Sequence, residues 1–289
     1  MEARISGHTK LFALIGSPVG HSGSPAMYNY SFAKTGMDAA YLAFDIPLET
    51  VKEGVEALRT LHVGGFNVTM PDKTAVAGLV DEISPAAKLI GACNTVTVSS
   101  DGRLTGHNTD GIGFVQNLRE HGVEVQGKRM VILGAGGTAT AICVQAALDG
   151  AQEIAIFNRA DEFYANGEKT VEKLTAAVPA CKVSIHPLED ADALASAVKA
   201  CDLLVNATKV GMKPLDGQTL VDAKLLHKNL VIADTIYNPR KTLLIEQAEA
   251  AGCKAVGGIG MLLWQGVAAF KLFTGKDMPA QEVLKKFFS

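Results

Sequence analysis

Met130-Val-Ile-Leu133 runs straight into Gly134-Ala135-Gly136-Gly137-Thr138-Ala139-Thr140. A short apolar run, a glycine-rich turn and the start of a helix form the pattern of a dinucleotide-binding unit. The glycines permit the tight turn and let backbone come close to a pyrophosphate, whose charge then faces the first amides of the helix. Ala139 stands where a third glycine often lies, an allowed replacement. The next strand-like run, Ile154-Ala-Ile-Phe157, fits the same unit. The turn opens at residue 134, so a domain's length of chain precedes it. The cofactor half is therefore expected to be the second module of a two-part enzyme, with the substrate chemistry upstream.

Outward from that turn, strand-like and helix-like segments alternate. Downstream, strands are expected at 129–133, 153–157, 182–186, 202–206, 230–234 and 254–257, with helices at 137–149, 161–177, 190–200 and 241–251. Such alternation argues for parallel sheets covered on both faces. Upstream, Leu11 to Ile15, Tyr41 to Ile46 and Phe66 to Met70 read as strands, and Leu48 to Leu61 has helical periodicity. Ser24 is placed to cap a helix with Pro25 at its first position. Ser99-Ser-Asp-Gly102 reads as a hairpin turn between 93–98 and 103–107, and 110–121 as a helix stopped by Gly122. Beyond Gly257-Gly258, an apolar helix from Met261 to Phe273 ends at Gly275, and a last helix follows Pro279. No strand separates those helices, so they are expected to return to the first domain. The predicted fold is α/β with two domains: residues 1–109 plus 260–289, and a Rossmann-type domain at 110–259.

The chain of 289 residues is long enough for about two domains. Its 48% hydrophobic and 20% charged content is ordinary for a globular protein. A net charge of −3 without a long basic run gives nucleic-acid binding no electrostatic support. Cys93, Cys143, Cys181, Cys201 and Cys253 are scattered with no metal-ligand spacing, which points to reduced thiols, a cytoplasmic setting and no metal. The polar N-terminus lacks a signal-peptide core, and no apolar run approaches the ~20 residues that span a bilayer.

The residues after Phe157 bear on cofactor choice. Asn158 lies where an acid commonly grips the ribose, about 20 residues past the first glycine, and Arg159 can hold a 2′-phosphate. Asp161 would repel that phosphate, so one arginine opposed by one aspartate argues for NAD over NADP. Asp161 also suits a helix N-cap. Upstream, three polar clusters stand out: His21-Ser22-Gly23-Ser24-Pro25, Asn67-Val68-Thr69-Met70-Pro71-Asp72-Lys73, and the pair Asn94-Thr95 and Asn108-Thr109-Asp110-Gly111. Hydroxyls at a helix start suit a carboxylate. A dehydrogenase must also move the proton of its substrate hydroxyl, and a lysine held by a carboxylate can do so.

Taken in order, Ser22/Ser24-Pro25, Asn67-Val-Thr69-x-Pro71-x-Lys73, Cys93-Asn94-Thr95, Asn108-Thr-Asp110-Gly111, Gly134-Ala-Gly-Gly137, Asn158-Arg159, Asn206-Ala-Thr208-x-x-Gly211-Met212 and Gln265 resemble the shikimate dehydrogenases over nearly the whole chain. Asn158-Arg-Ala-Asp161-Glu162-Phe163, Thr208-Lys-Val-Gly-Met212 and Gly260-Met-Leu-Leu-Trp-Gln265 look most like the bifunctional quinate/shikimate branch. The biosynthetic branch usually carries a second basic residue where Phe163 stands. The resemblance implies a cleft between the domains, Lys73 and Asp110 as the catalytic pair, and Ser22 and Ser24 on the substrate carboxylate with Tyr237 nearby. It gives the ring hydroxyls to Thr69, Asn94, Asp110 and Gln265. It gives the pyrophosphate to Gly134, Ala135, Gly136, Gly137, Thr138 and Ala139, the adenosine ribose to Asn158, Arg159 and Asp161, and the path to the nicotinamide to Thr208, Lys209 and Gly257. It also implies a homodimer. The expected reaction is reversible hydride transfer between NAD, or NADP, and the 3-hydroxyl of shikimate or quinate. The alternatives are a strictly NADP-dependent biosynthetic enzyme and, in another class, a non-catalytic cofactor-sensing regulator.

Overall fold

Along Lys10–Gly16 (β1), Ala13 and Ile15 point to one face of a sheet while Phe12 and Leu14 point to the other, and all four are buried. A strand buried on both faces needs helices on both sides, and that requirement organises the first unit. The structure is a computed structural model that describes residues 5–288. Two units emerge, one ending at Thr109 and resuming at Gln265, the other Asp110–Trp264.

In the first unit β1 is followed by α1 (Ser24–Lys34), β2 (Ala39–Asp45), α2 (Val51–Thr60), β3 (Gly65–Val68), α3 (Lys73–Ala77), β4 (Glu82–Ile83), α4 (Pro85–Ile90), β5 (Thr95–Val98) and β6 (Leu104–His107). The sheet order is β2-β1-β3-β5-β6-β4. Ala13, Ile15, Phe66, Val68 and Val96 pack with Val51, Val55 and Leu58 of α2 and Val76 of α3. On the opposite side Phe12 meets Phe32 of α1, with ring centroids 5.1 Å apart, and Phe273 at 5.4 Å. Each such buried ring contributes about 1.5–3 kcal/mol. The sheet is mixed rather than parallel, because β5 pairs antiparallel with both β3 and β6 across the expected hairpin. β4 is two residues long, too short for any periodicity to show. Ser24 does not cap α1. Gly23 holds that position and Ser24 is the first helical residue, while the Ser22 hydroxyl accepts its N–H at 3.2 Å.

The second unit runs α5 (Asp110–Glu120), β7 (Arg129–Leu133), α6 (Gly137–Leu148), β8 (Glu153–Asn158), α7 (Tyr164–Ala177), β9 (Lys182–Pro187), α8 (Ala191–Ala200), β10 (Leu203–Asn206), β11 (Val231–Asp234), α9 (Leu243–Ala250) and β12 (Lys254–Val256). All six strands are parallel, in the order β12-β11-β10-β7-β8-β9. Val131, Leu133, Phe157, Leu204 and Ile232 pack against Leu194 and Val198 of α8 and Leu244 and Ala248 of α9. The chain leaves β7 toward β8 on one side and later enters β10 on the other, so strand order reverses at β7, where doubly wound sheets bind ligands. α10 (Ile259–Thr274) is continuous, and the two units divide within it, between Trp264 and Gln265. α11 (Ala280–Phe287) ends the fold. All five cysteines are buried and unpaired. Among the described residues no helix is long and apolar enough to cross a membrane.

Candidate active site

Pairing geometry gathers the polar clusters of the first unit. β1 and β3 run parallel with Ile15 opposite Val68, so the segments carrying Ser22, Ser24, Thr69 and Lys73 leave from one end of the sheet. β5 starts and β6 finishes at that same end, since Asn67 lies opposite Thr95 and Thr95 opposite His107. Asn94 and Thr109 therefore join the group. The approach is close. Gly16 has φ +147°, and a Cβ there would sit 2.5 Å from Thr69 Cγ2 and 2.9 Å from the Met70 carbonyl oxygen. Thr69 N–H donates to Ile15 O at 2.9 Å, and Cys93 N–H donates to Lys73 O at 3.0 Å. Burial pushes the Cys93 thiol up to about 12 against the opposing pull of the Lys73 ammonium.

A buried hydrogen-bond chain sets the orientation of Asn94. Tyr41 O–H donates to Asn67 Oδ1 at 2.8 Å, so Asn67 Nδ2 faces the Asn94 carbonyl at 3.1 Å and Thr95 Oγ1 at 3.0 Å. Thr95 then donates to Asn94 Oδ1 at 2.9 Å, which also accepts Thr109 N–H at 2.9 Å. Asn94 Nδ2 is left to donate to Thr109 Oγ1 at 3.0 Å. Gln265 is held on α1. Tyr28 O–H donates to the carbonyl of Gly266 at 3.2 Å, and a Cβ on Gly266 would run into Met27 Cε at 2.5 Å.

In the second unit the glycine turn sits at the reversal of strand order. Gly134 has φ +108°, and a Cβ there would lie 2.9 Å from Thr208 Cγ2 and 3.0 Å from Ala207 O. Only glycine suits that position. Among the described residues, nothing beyond the adjoining backbone lies within 4 Å of a Cβ on Gly136 or Gly137, and no side chain caps the N-terminus of α6. Room above uncapped first-turn amides fits a dinucleotide pyrophosphate. Ala135 N–H donates to Asn158 Oδ1 at 3.1 Å. Asn158 Nδ2 donates to Asp161 Oδ1 at 2.8 Å, which also accepts Phe163 N–H at 2.9 Å. Asp161 is thus fixed to the turn, and α7 begins after it at Tyr164. Thr208 donates its hydroxyl to Asn206 Oδ1 at 2.7 Å, and Gly257 O accepts Asn117 Nδ2–H at 2.9 Å.

Residues 14–96 match the model of the shikimate dehydrogenase substrate binding domain, and residues 258–286 that of the shikimate 5'-dehydrogenase C-terminal domain. An NADP(+) shikimate dehydrogenase of Listeria monocytogenes serotype 4b is 49% identical over 286 residues, covering 99% of this chain and 98% of that one. The chain belongs to the shikimate dehydrogenase family. It is accordingly an NAD(P)-dependent oxidoreductase acting on a CH–OH group. A quinate/shikimate dehydrogenase of Escherichia coli is 44% identical, with 95% of each chain covered. The crystal structure of a Listeria monocytogenes shikimate 5-dehydrogenase in complex with shikimate and NAD superposes with TM-score 0.95 at 48% identity, covering 98% of this chain and 97% of that one.

Within this family member the expected residues fall into two sets. Ser22, Ser24, Thr69, Lys73, Asn94 and Gln265 belong to the first unit, while Asp110, at the start of α5, Gly134 to Ala139, Asn158, Arg159, Asp161, Thr208, Lys209, Tyr237 and Gly257 belong to the second. Arg159, Asp161 and Lys209 are exposed. Tyr237 is 51% exposed on the segment after β11. Sequence reading missed Tyr41, whose place at the far end of the Asn94 chain depends on strand pairing. It also missed the buried Asp234, signalled only by an acid closing the apolar run Val231-Ile-Ala-Asp234.

Proposed function

We propose that the chain interconverts shikimate and 3-dehydroshikimate. The observation that carries this is the gathering of Ser22, Ser24, Thr69, Lys73 and Asn94 at one end of the first sheet, with the Asn94 amide turned by its buried partners. The bound nicotinamide supplies or receives the hydride at the ring carbon. Lys73 protonates the oxygen on that carbon during reduction and takes the proton back during oxidation, with Asp110 as the second catalytic residue. Ser22 and Ser24 hold the carboxylate, with Tyr237 beside it. Thr69, Asn94 and Gln265 hold the ring hydroxyls. A site built on such bonds rejects substrates that lack a matching hydroxyl. Gly134 to Ala139 cradle the pyrophosphate, Thr208, Lys209 and Gly257 line the path to the nicotinamide, and Asn158, Arg159 and Asp161 face the adenosine ribose.

The names of the Listeria, Streptococcus uberis and Alkaliphilus metalliredigens relatives support an NADP-dependent shikimate enzyme better than a bifunctional quinate/shikimate one, and that is the reading adopted for substrate. One observation favours NAD as cofactor. Asp161 is tied through Asn158 to the glycine turn, where its charge opposes a 2′-phosphate. Homodimeric assembly and a reducing, cytoplasmic setting complete the proposal, the latter supported by five buried unpaired thiols. The test is a kinetic matrix of shikimate and quinate against NAD and NADP. Turnover of shikimate supports the reading, and turnover of neither acid overturns it.

A further inference from the structure

Three segments of the second unit meet on one carboxylate. Asp234 closes β11 and is 2% exposed. Its Oδ1 accepts Asn206 Nδ2–H at 3.0 Å and Ile236 N–H at 3.0 Å. Its Oδ2 accepts the Thr242 hydroxyl at 2.7 Å. Asn206 gives its other Nδ2 hydrogen to Val210 O at 3.0 Å and takes the Thr208 N–H at 3.2 Å and O–H at 2.7 Å on Oδ1. Gly211, with φ +112°, brings the segment after β10 against Ile236, to which a Cβ would lie 3.1 Å away.

We infer that Asp234 is a positioning residue for the dehydrogenase, fixing at once the side chain of Thr208 and the backbone that leads into Tyr237. The inference rests on the function proposed above, which gives Thr208 to the cofactor and Tyr237 to the substrate carboxylate. Donor polarity links the two. An ionised carboxylate only accepts, so Asn206 must turn Nδ2 toward it and Oδ1 toward Thr208. The Thr208 hydroxyl proton is thereby committed inward and its rotamer set. The Val210 carbonyl and the Thr208 N–H favour the same orientation of Asn206, and the carboxylate adds a third, charge-assisted contact that holds it there; an amide at 234 withdraws that charge. Burial raises the Asp234 carboxyl, while the bonds from Thr242, Ile236 and Asn206 pull it back toward the charged form. Burying a carboxylate is costly unless its hydrogen bonds are satisfied, and here three donors satisfy it.

The test uses the full chain and two readouts: fluorescence titration with NADH and NADPH, and the KM for shikimate. Asp234→Asn is expected to weaken dinucleotide binding about tenfold, the scale of one hydrogen bond to a charged group, and to raise the shikimate KM. Asn206→Ala is expected to weaken dinucleotide binding by a similar factor while leaving the shikimate KM near wild type, since Ile236 keeps its bond. Added to Asn206→Ala, Asp234→Asn should bring no further loss of dinucleotide affinity but should still raise the shikimate KM. Thr242→Val removes the Oδ2 donor and the cap of α9. It should lower thermal stability without moving either binding constant. The inference is overturned by wild-type dinucleotide binding in Asp234→Asn or Asn206→Ala, by losses that simply multiply in the double variant, or by equal binding losses in Thr242→Val. Dinucleotide binding by a wild-type chain that turns over no shikimate would refute the proposed substrate instead, leaving the Asn206 arm of the test in force.

Discussion

Asp72 has no exposed surface, and among the described residues neither of its carboxylate oxygens has a hydrogen-bond partner. Burial first, and then the charge of Glu49, push its carboxyl above the ordinary 3.8. Asp72→Asn keeps the shape and removes the ionisation. Because the native state holds this proton more tightly than the unfolded state does, it binds more protons between pH 3.8 and the raised native value, and stability falls as pH climbs through that window. Above the native value the whole cost of an unpaired buried charge is present, about 1–3 kcal/mol or more. The variant escapes that cost. Its stability relative to wild type should therefore rise by about 1–3 kcal/mol as pH climbs from 3.8 through the raised native value, then level off. Whatever constant penalty the amide carries cancels in this comparison. Urea unfolding at several pH values measures it, followed by near-ultraviolet circular dichroism of the Tyr28–Tyr41 stack, whose rings lie 4.4 Å apart in the same unit as Asp72. A stability difference that stays flat through that window refutes the reasoning.

Three other perturbations test the site. Lys73→Ala should lower kcat about 10²–10⁴-fold, the usual scale of general acid–base catalysis, and wild-type turnover would remove Lys73 from the proton path. Asp161→Ala should move the NAD-to-NADP ratio of kcat/KM about tenfold toward NADP, since it removes a like charge facing the 2′-phosphate. An unchanged ratio would deny Asp161 any part in the choice. Gly134→Ala places a Cβ 2.9 Å from Thr208 Cγ2 at φ +108°, so calorimetric titration should show dinucleotide binding lost while shikimate binding to the first unit persists.

The second unit was legible because its signals are local. The run Met130 to Leu133, the turn that follows and the alternation to Val256 all lie in short windows, and the parallel sheet followed from them. The first unit was harder. β4 has two residues, and Leu48 to Leu61 divides into a 3₁₀ turn at Leu48–Thr50 and α2, distinctions that side-chain periodicity does not encode. The Ser24 cap was misread for a related reason. Two serines flank a glycine, and which one meets the amides depends on backbone angles at Gly23 that composition leaves open.

The polar clusters show where local reading stops and pairing takes over. Asn94-Thr95 and Asn108-Thr109 stand on either side of a readable hairpin, so a register with Thr95 opposite His107 is enough to put Asn94 against Thr109. Nothing in that window contains Asn67 or Tyr41, which arrive through β3 and β2 and decide which end of the Asn94 amide turns inward. Asp72 and Lys73 make the same point at one peptide bond's distance. Both are charged residues within two positions of Pro71, yet the first is fully buried and the second is partly exposed. Residue type at a given spacing tells which groups are available for chemistry. Whether a given group is solvated, paired or held neutral depends on what the sheet places over it, which is why Lys73 could be nominated from sequence while the burial of Asp72 and the three-way tie at Asp234 could not.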